Sequence, residues 1–495
     1  VRIWTTRRKY SGEFEEPLRW PAEDSPIPAL LDHFCAKSLC EAVFFDIPVA
    51  APKTQSSFFL DTACAVLSAA TRIFKWPKTC RVLFYGNPAL LGPVAEKLKV
   101  QGFAPMRRVR RITRVKELGL LFSLDWHLTR SHRPSAPEPF NEKLFYETFQ
   151  KKGTFLVEGE DLLPVVWPKV RNFYRFQAGP LRRAYREVRA LLERTKPGYL
   201  VVEEDAVEFG KMLTLGAKSL GIKSLVVQHG LPGDPLGFMP MQADHMAVWG
   251  ETSRQVFERW GMEPSRIVVT GCPKYDSWES LGGGAKGARE RLCRRFGWAA
   301  EKPIVLITPD ILRGNAFERF EGVNPDAFEV LDIAKYFISI AKDVPGANFI
   351  YKFHGGSWDE PFYNKLAERL GGLPPNFKWM VGGVALDFMS GCDLLFNDVS
   401  SAGLEAVLLR RPLAGFNFSS QPDFYPLKAY GLEPVAHRLE EARDICLRLA
   451  EKTLPAERWI AEQEKLIQPY VFSRDGRSAE RVANFIRKRS GAVLS

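Results

Sequence analysis

Short, almost unbroken apolar runs recur along the 495 residues, with longer stretches of helical spacing between them: Arg81–Tyr85, Tyr199–Val202, Ser224–Gln228, Arg266–Thr270, Ile304–Thr308, Asn348–Phe353 and Asp393–Phe396. Each run is bounded by Gly, Pro or polar residues. That pattern predicts central parallel strands covered on both faces. Strands alternating with helices predict an α/β chain, and the spread of the runs predicts two doubly wound, Rossmann-like domains. The pattern lapses from Asp276 to Arg289, where DSWESLGGGAKGAR holds the run Gly282-Gly283-Gly284. The domain boundary is therefore expected there, giving a first domain over 1–280 and a second over 281–472. The tail, 473–495, predicts a helix with Ala479, Val482, Ala483 and Ile486 on one side and bases on the other. A basic, Pro-interrupted segment at about 106–177 reads as an insertion in the first domain.

Composition narrows the class. Lys and Arg number 69 against 58 Asp and Glu, for a net charge of +11, with 45% hydrophobic and 26% charged residues. This is an ordinary globular balance, and the length allows several domains rather than one small binding module. No apolar run approaches the roughly 18–20 residues of a membrane span. No secretory leader pattern opens the chain, so a cytoplasmic protein is expected. The eight Cys are scattered without C-x-x-C or zinc-type spacing, and neither disulfides nor a structural metal is expected. Charge is concentrated locally: Arg107, Arg108, Arg110, Arg111, Arg114 and Lys116 follow one another with no acid between them. That run is either a solvated face or a surface for an anionic partner, such as a phospholipid membrane or a phosphate-bearing acceptor. Nucleic acid is not expected, because no aromatic-interleaved or zinc-finger pattern accompanies the bases.

Ligands in open α/β sheets bind beyond the carboxyl ends of strands, so the residues at those ends are the candidates for chemistry. The run Lys223–Val227 leads into Gln228-His229-Gly230, which puts an imidazole and a permissive glycine at one edge. Tyr199–Val202 leads into Glu203-Glu204-Asp205, carboxylates suited to taking a proton from a hydroxyl or to starting a helix. In the second half, Lys352, His354, Gly355 and Gly356 end one run, and Arg313 follows another. A cation, an imidazole and two glycines in one loop suit a diphosphate. The sharpest constellation is DLLFNDVSSAGLEAVLLRRP, 393–412. It predicts a strand, a turn holding Ser400 and Ser401, and a helix from about 402 to 409 with Glu405 in its first turn. Such a turn either binds a phosphate, with the carboxylate on a ribose, or is simply a capped helix. Taken over all the strand ends, nucleotide binding is the better reading.

At residues 197–415 the sequence resembles the GT-B glycosyltransferases of bacterial surface carbohydrate synthesis. The group includes CDP-glycerol glycerophosphotransferases, capsule Kdo transferases and sialyl- and polysialyltransferases. The resemblance rests on QHG at 228–230 with AVWG at 247–250 and VVTGCPKYD at 268–276, on KFHG at 352–355, and on SSAGLE at 400–405. Gly355 stands where the family usually has Pro, and Ala206 where its acid motif has Gly. The resemblance implies two Rossmann-like domains facing a central cleft, with acceptor chemistry in the first and donor binding in the second. It assigns His354, Ser400 and Ser401 to the donor phosphates, Glu405 to the ribose, and His229 or Asp205 to the acceptor. Lys352 and Arg313 would add phosphate cations. It implies no metal and no cofactor, the nucleotide-activated sugar being a co-substrate. The expected activity is transfer of a sugar, Kdo or sialic-acid-like, to a surface glycan, glycolipid or glycoprotein. A sugar-nucleotide 2-epimerase, a CDP-glycerol-type polyol-phosphate transferase and a non-catalytic scaffold are the alternatives. The membrane contact expected of Arg107, Arg108, Arg110 and Arg111 would place the protein peripherally at the inner face of the membrane.

Overall fold

The computed structural model describes residues 82–98, 103–105, 141–152, 156–157, 160–161, 163–206, 208–232, 237–278, 285–309, 330–353, 367–368, 372–380, 385–398, 401–418 and 434–490. The chain forms two compact units, residues 1–274 with 477–495, and residues 275–476. The passage between them falls at Lys274 and Tyr275, ahead of the glycine run, and the C-terminal helix belongs with the first unit.

The strands of the first unit are β1 (Val82–Gly86), β2 (Phe103–Pro105), a small antiparallel pair β3 (Leu156–Val157) and β4 (Glu160–Asp161), β5 (Tyr199–Val202), β6 (Lys223–Val227), β7 (His245–Val248) and β8 (Ile267–Val269). All but β3 and β4 join one parallel sheet in the order β2-β1-β5-β6-β7-β8. Val82 pairs with Tyr199, and Tyr199 with Lys223. The sheet is buried on both faces, so its strands read as continuous apolar runs: every residue of β1 and β5 is buried. The connections turn from one side to the other between β1 and β5.

The helices of this unit are α1 (Pro88–Leu98), α2 (Glu142–Lys152), α3 (Leu163–Asn172), α4 (Ala178–Thr195), α5 (Glu208–Ser219) and α6 (Glu251–Arg259). The end of the predicted insertion is thus helical, α3 running into α4 through a π-helical turn at Phe173–Gln177. Aromatic edges hold it together, with Phe145 on Tyr174 at 4.8 Å and Tyr146 on Trp167 at 5.1 Å.

In the second unit, β9 (Ile304–Thr308), β10 (Asn348–Lys352), β11 (Phe377–Met380), β12 (Leu394–Asn397), β13 (Leu413–Phe416) and β14 (Val435–Ala436) form a parallel sheet ordered β11-β10-β9-β12-β13-β14. Its helices are α7 (Ala285–Phe296), α8 (Val330–Asp343), α9 (Ala385–Gly391), α10 (Ala402–Leu408), α11 (Leu439–Ala450) and α12 (Ala456–Val471). The direction reverses between β9 and β12, where Thr308 pairs with Asn397. Both units are therefore doubly wound parallel sheets, as the sequence predicts.

The last helix, α13 (Ser478–Ser490), buries Ala479, Val482, Ala483 and Ile486, the stripe expected of it. Arg481 Nε donates to the Thr270 carbonyl at 2.7 Å, and Phe485 meets the His245 ring edge-on at 5.2 Å. Among the described residues no helix is long and apolar enough to cross a membrane.

Candidate functional site

A doubly wound sheet opens a crevice where its strand order reverses, because the loops on either side turn away from each other. In the first unit that point lies beyond the carboxyl ends of β1 and β5. Glu203, the first residue after β5, donates its N–H to the Tyr85 carbonyl at 3.2 Å and accepts the Asn87 N–H on Oε2 at 2.7 Å. Asn87 in turn caps α1, its Oδ1 accepting the Ala89 N–H at 2.9 Å. The approach is close enough to require glycine at the end of β1. At Gly86, φ is +153°, and a Cβ would lie 2.8 Å from Leu91 and 2.9 Å from the Glu203 side chain.

His229 reaches the same place from the end of β6. Its Nδ1 lies 3.1 Å from the Glu203 carbonyl, and its ring stacks on Phe238 at 4.7 Å between centroids. A carbonyl only accepts, so Nδ1 carries the hydrogen and Nε2 the lone pair. The ring is accessible yet crowded. Crowding holds its pKa below the ordinary imidazole range, against the opposing effect of the bond to Glu203.

The segment before His229 is fixed by Gln228, which is fully buried. Its Oε1 accepts the Trp249 N–H at 2.8 Å, and its Nε2 donates to the Gly230 carbonyl at 2.8 Å and to Ser253 Oγ at 3.0 Å. Its carbonyl takes the Trp249 indole N–H at 2.7 Å. The glutamine is thus a bracket for the imidazole beside it, a part its place in the QHG motif could have signalled.

Asp205 is engaged differently from His229. It is buried, and its Oδ2 accepts the main-chain N–H groups of Gln242 at 2.7 Å and Ala243 at 2.6 Å. Burial pushes its carboxyl up to about 6, against those hydrogen bonds and the nearby charges of Lys211 and Arg266. The loop is clamped from below as well. A Cβ at Gly210 of α5 would stand 1.8 Å from the Glu204 carbonyl oxygen.

In the second unit the reversal between β9 and β12 gathers polar residues from adjacent strand ends. Thr308 Oγ1 donates to Asn397 Oδ1 at 3.2 Å, and both Asn397 and Asp398 are buried. Helix α10 packs down on Asn397, whose Nδ2 would lie 3.0 Å from a Cβ at Gly403. Ser401 is the first-cap residue of α10, half-buried, yet its hydroxyl makes no capping hydrogen bond. One turn on, the buried Glu405 accepts the Tyr275 O–H on Oε1 at 3.1 Å.

Lys352 ends β10, the strand on the far side of β9. It is buried, donates to the Phe353 carbonyl at 3.2 Å and lies 5.8 Å from the Phe388 ring. Burial lowers its pKa. The structure therefore brings Lys352, Ser401 and Glu405 to one edge of one sheet, and His229 and Asp205 to loops of the other. His354, Ser400, Arg313, Arg107, Arg108, Arg110 and Arg111 lie outside the described residues. Among the described residues no group of three or more His, Cys, Asp or Glu is placed to hold a metal ion.

No family model and no curated relative matches the chain. Among solved structures it is similar to the UDP-GlcNAc 2-epimerase of Neisseria meningitidis bound to UDP-GlcNAc, at 14% identity and a TM-score of 0.48 over 82% of this chain and 99% of that one. It is similar to the Methanocaldococcus jannaschii UDP-GlcNAc 2-epimerase in complex with UDP-GlcNAc and UDP, at 15% identity and a TM-score of 0.47 over 82% and 98%. It is also similar to the wall teichoic acid polymerase TagF, at 11% identity and a TM-score of 0.47 over 87% and 95%.

Proposed function

We propose that the protein is a glycosyltransferase that binds a nucleotide-activated sugar in its second unit and activates an acceptor hydroxyl in its first. The observation that carries the reading is the reversal of the second sheet. There an uncommitted serine hydroxyl at a helix start and a buried carboxylate one turn along follow β12, and a buried amine ends β10, one strand further on across β9. Amine and hydroxyl suit the phosphates, and the carboxylate suits a ribose. His354, Ser400 and Arg313 would complete the phosphate contacts.

In this reading the acceptor O–H donates to Nε2 of His229. As the oxygen bonds to the anomeric carbon, the proton passes to the imidazole. The bond from that carbon to the phosphate oxygen breaks, and the leaving phosphate takes the electron pair. Lys352, Ser401 and His354 meet its charge, so positioning and electrostatic stabilisation supply most of the rate. The reading routes no step through a metal or a further cofactor. It takes Kdo or a sialic-acid-like residue as the sugar, and a glycan, glycolipid or glycoprotein as the acceptor. Arg107, Arg108, Arg110 and Arg111 would contact an anionic membrane that carries the acceptor.

A thermal-shift panel of CMP, CDP, UDP and GDP tests the donor site. A nucleotide at about 100 times its Kd stabilises the fold by about 2.7 kcal/mol. Release of nucleotide from the sugar donor should then depend on added acceptor. Interconversion of the donor sugar without acceptor would replace transferase by epimerase, and transfer of glycerol phosphate from CDP-glycerol would replace the sugar by a polyol phosphate. No response to any nucleotide would overturn the reading.

A further inference from the structure

Tyr275 is the first residue after the chain passes out of the first unit, and it is buried in the second. It sits in a short 3-10 turn, Pro273–Tyr275, where its carbonyl accepts the Trp278 N–H at 2.9 Å. The Trp278 ring meets it edge-on at 4.8 Å. The phenol is therefore held by its own turn and by an aromatic neighbour before it meets anything distant. From that fixed position its O–H donates to Glu405 Oε1 at 3.1 Å, across 130 residues of sequence. A glutamate has three side-chain torsions, so a buried one needs a partner to hold its carboxylate in one orientation.

We infer that Tyr275 is a positioning residue for the donor site, fixing the Glu405 carboxylate so that it reads ribose hydroxyls. The inference rests on the donor-site reading and adds to it a specificity for ribonucleotides over deoxyribonucleotides. A carboxylate accepts through about four lone-pair sites, and the phenol occupies one of them. A hydroxyl donor placed against another gains a charge-assisted bond that a deoxy sugar cannot make. A site built to receive a hydroxyl discriminates strongly against the ligand that lacks it, because the charge-assisted bond to that hydroxyl is then lost. The discrimination depends on where the carboxylate stands, and the bond from Tyr275 helps to set that.

The test is titration calorimetry with whichever of CMP, CDP, UDP and GDP binds best, against its 2′,3′-dideoxy counterpart. Wild type should prefer the ribonucleotide by about tenfold or more. Tyr275→Phe keeps the ring and its contact with Trp278 and should weaken the ribonucleotide by about tenfold while changing the dideoxy form little, so the preference collapses. Glu405→Gln should abolish most of the preference alone, and adding Tyr275→Phe to it should remove little more. Equal weakening of both nucleotides by Tyr275→Phe would mean a merely structural phenol, and unchanged affinities would mean that Glu405 needs no positioning. Either result overturns the inference while leaving the donor site standing. Failure of wild type to bind any of the four removes the donor site and this inference together.

Discussion

Asp205 and Arg266 grip opposite edges of one stretch of main chain. Asp205 Oδ2 accepts the N–H groups of Gln242 and Ala243. Arg266 donates from Nε to the Asp244 carbonyl at 3.1 Å, and from Nη2 to the Ala243 carbonyl at 2.5 Å and the Met241 carbonyl at 3.4 Å. Residues 241–244 lead into β7 with neither helix nor sheet bonds of their own, and buried main chain without such bonds must find side-chain partners. A carboxylate for the donors and a guanidinium for the acceptors supply both kinds. The acid next to the β5 edge is thus tied to the path of the chain between β6 and β7.

Replacing Asp205 should separate its hydrogen-bonding part from its charge. With its carboxyl raised to about 6, the folded state keeps a proton that the unfolded chain releases near the ordinary value of about 4. Between those pH values the folded state binds more protons, so stability falls as pH rises from about 4 to about 6 and is level above. Asp205→Asn keeps an oxygen for both N–H groups. It should stay within about 1 kcal/mol of wild type at pH 7 and lose that pH dependence, whereas Asp205→Ala should cost about 2–4 kcal/mol. Urea unfolding at pH 4, 5, 6 and 7 reads all three. An Asn variant as unstable as the Ala variant would show that the negative charge itself is needed.

Two glycines in helices of the first unit should respond very unequally to a methyl group. At Gly210 the new carbon would stand 1.8 Å from the Glu204 carbonyl oxygen, whereas at Gly92 in α1 no atom beyond its chain neighbours and its own helix turn lies within 4 Å. Gly210→Ala should therefore destabilise by about 3 kcal/mol through overpacking against backbone. Gly92→Ala should change stability by less than about 1 kcal/mol, because the helix propensity gained is opposed by the new Cβ meeting the ring of Pro93, the next residue in the helix. Thermal unfolding of the two variants side by side decides it. Similar Tm values would mean that the Glu204 loop is not pressed onto α5.

Strands buried on both faces were the most legible part of this chain. The bounds of β5 and β9 follow from apolar runs alone, because helices cover both sides. By contrast β11, FKWM, carries a charge at its second position, and β13, LAGF, has small residues in its middle, so neither stands out as a run. The predicted passage at Gly282-Gly283-Gly284 followed flexibility, but compactness follows burial, and Tyr275 and Trp278 already pack in the second unit. Strand ends were readable as candidate sites because a doubly wound sheet opens its crevice there. The partners were not: Asp205 meets residues 37 and 38 positions away, and Glu405 meets Tyr275 across 130. Ser401 could be read as a cap or as a ligand, and its hydroxyl makes no capping bond.

If His229 takes the acceptor proton, the transfer rate should follow its neutral form. Crowding lowers its pKa, so the imidazole stays neutral, and the rate stays level, to a pH below the ordinary value of about 6.5. The rate should fall only as pH drops through that lowered pKa. Profiles of kcat/KM from pH 4.5 to 8 on wild type and His229→Gln provide the check, with the acid limb present in the first and absent from the residual rate of the second. A limb centred above 6.5, or one that survives the substitution, assigns the proton to another group.

Ser401 offers the cleanest division between stability and binding. A serine that caps a helix through its side chain contributes typically about 1 kcal/mol. Ser401 makes no such bond, so Ser401→Ala should leave stability within about 0.5 kcal/mol of wild type. If its hydroxyl meets a donor phosphate, the same variant should lose about tenfold in nucleotide affinity, the worth of one hydrogen bond to a charged group. Joined with Glu405→Ala, which removes the ribose contact and leaves the Tyr275 hydroxyl without this acceptor, binding should fall below detection while the fold persists. Calorimetry and thermal unfolding on the same samples report the two quantities separately. Lowered Tm with wild-type affinity in the single variant would make Ser401 a cap after all and move the phosphates elsewhere, whereas lost affinity at unchanged Tm places them on α10.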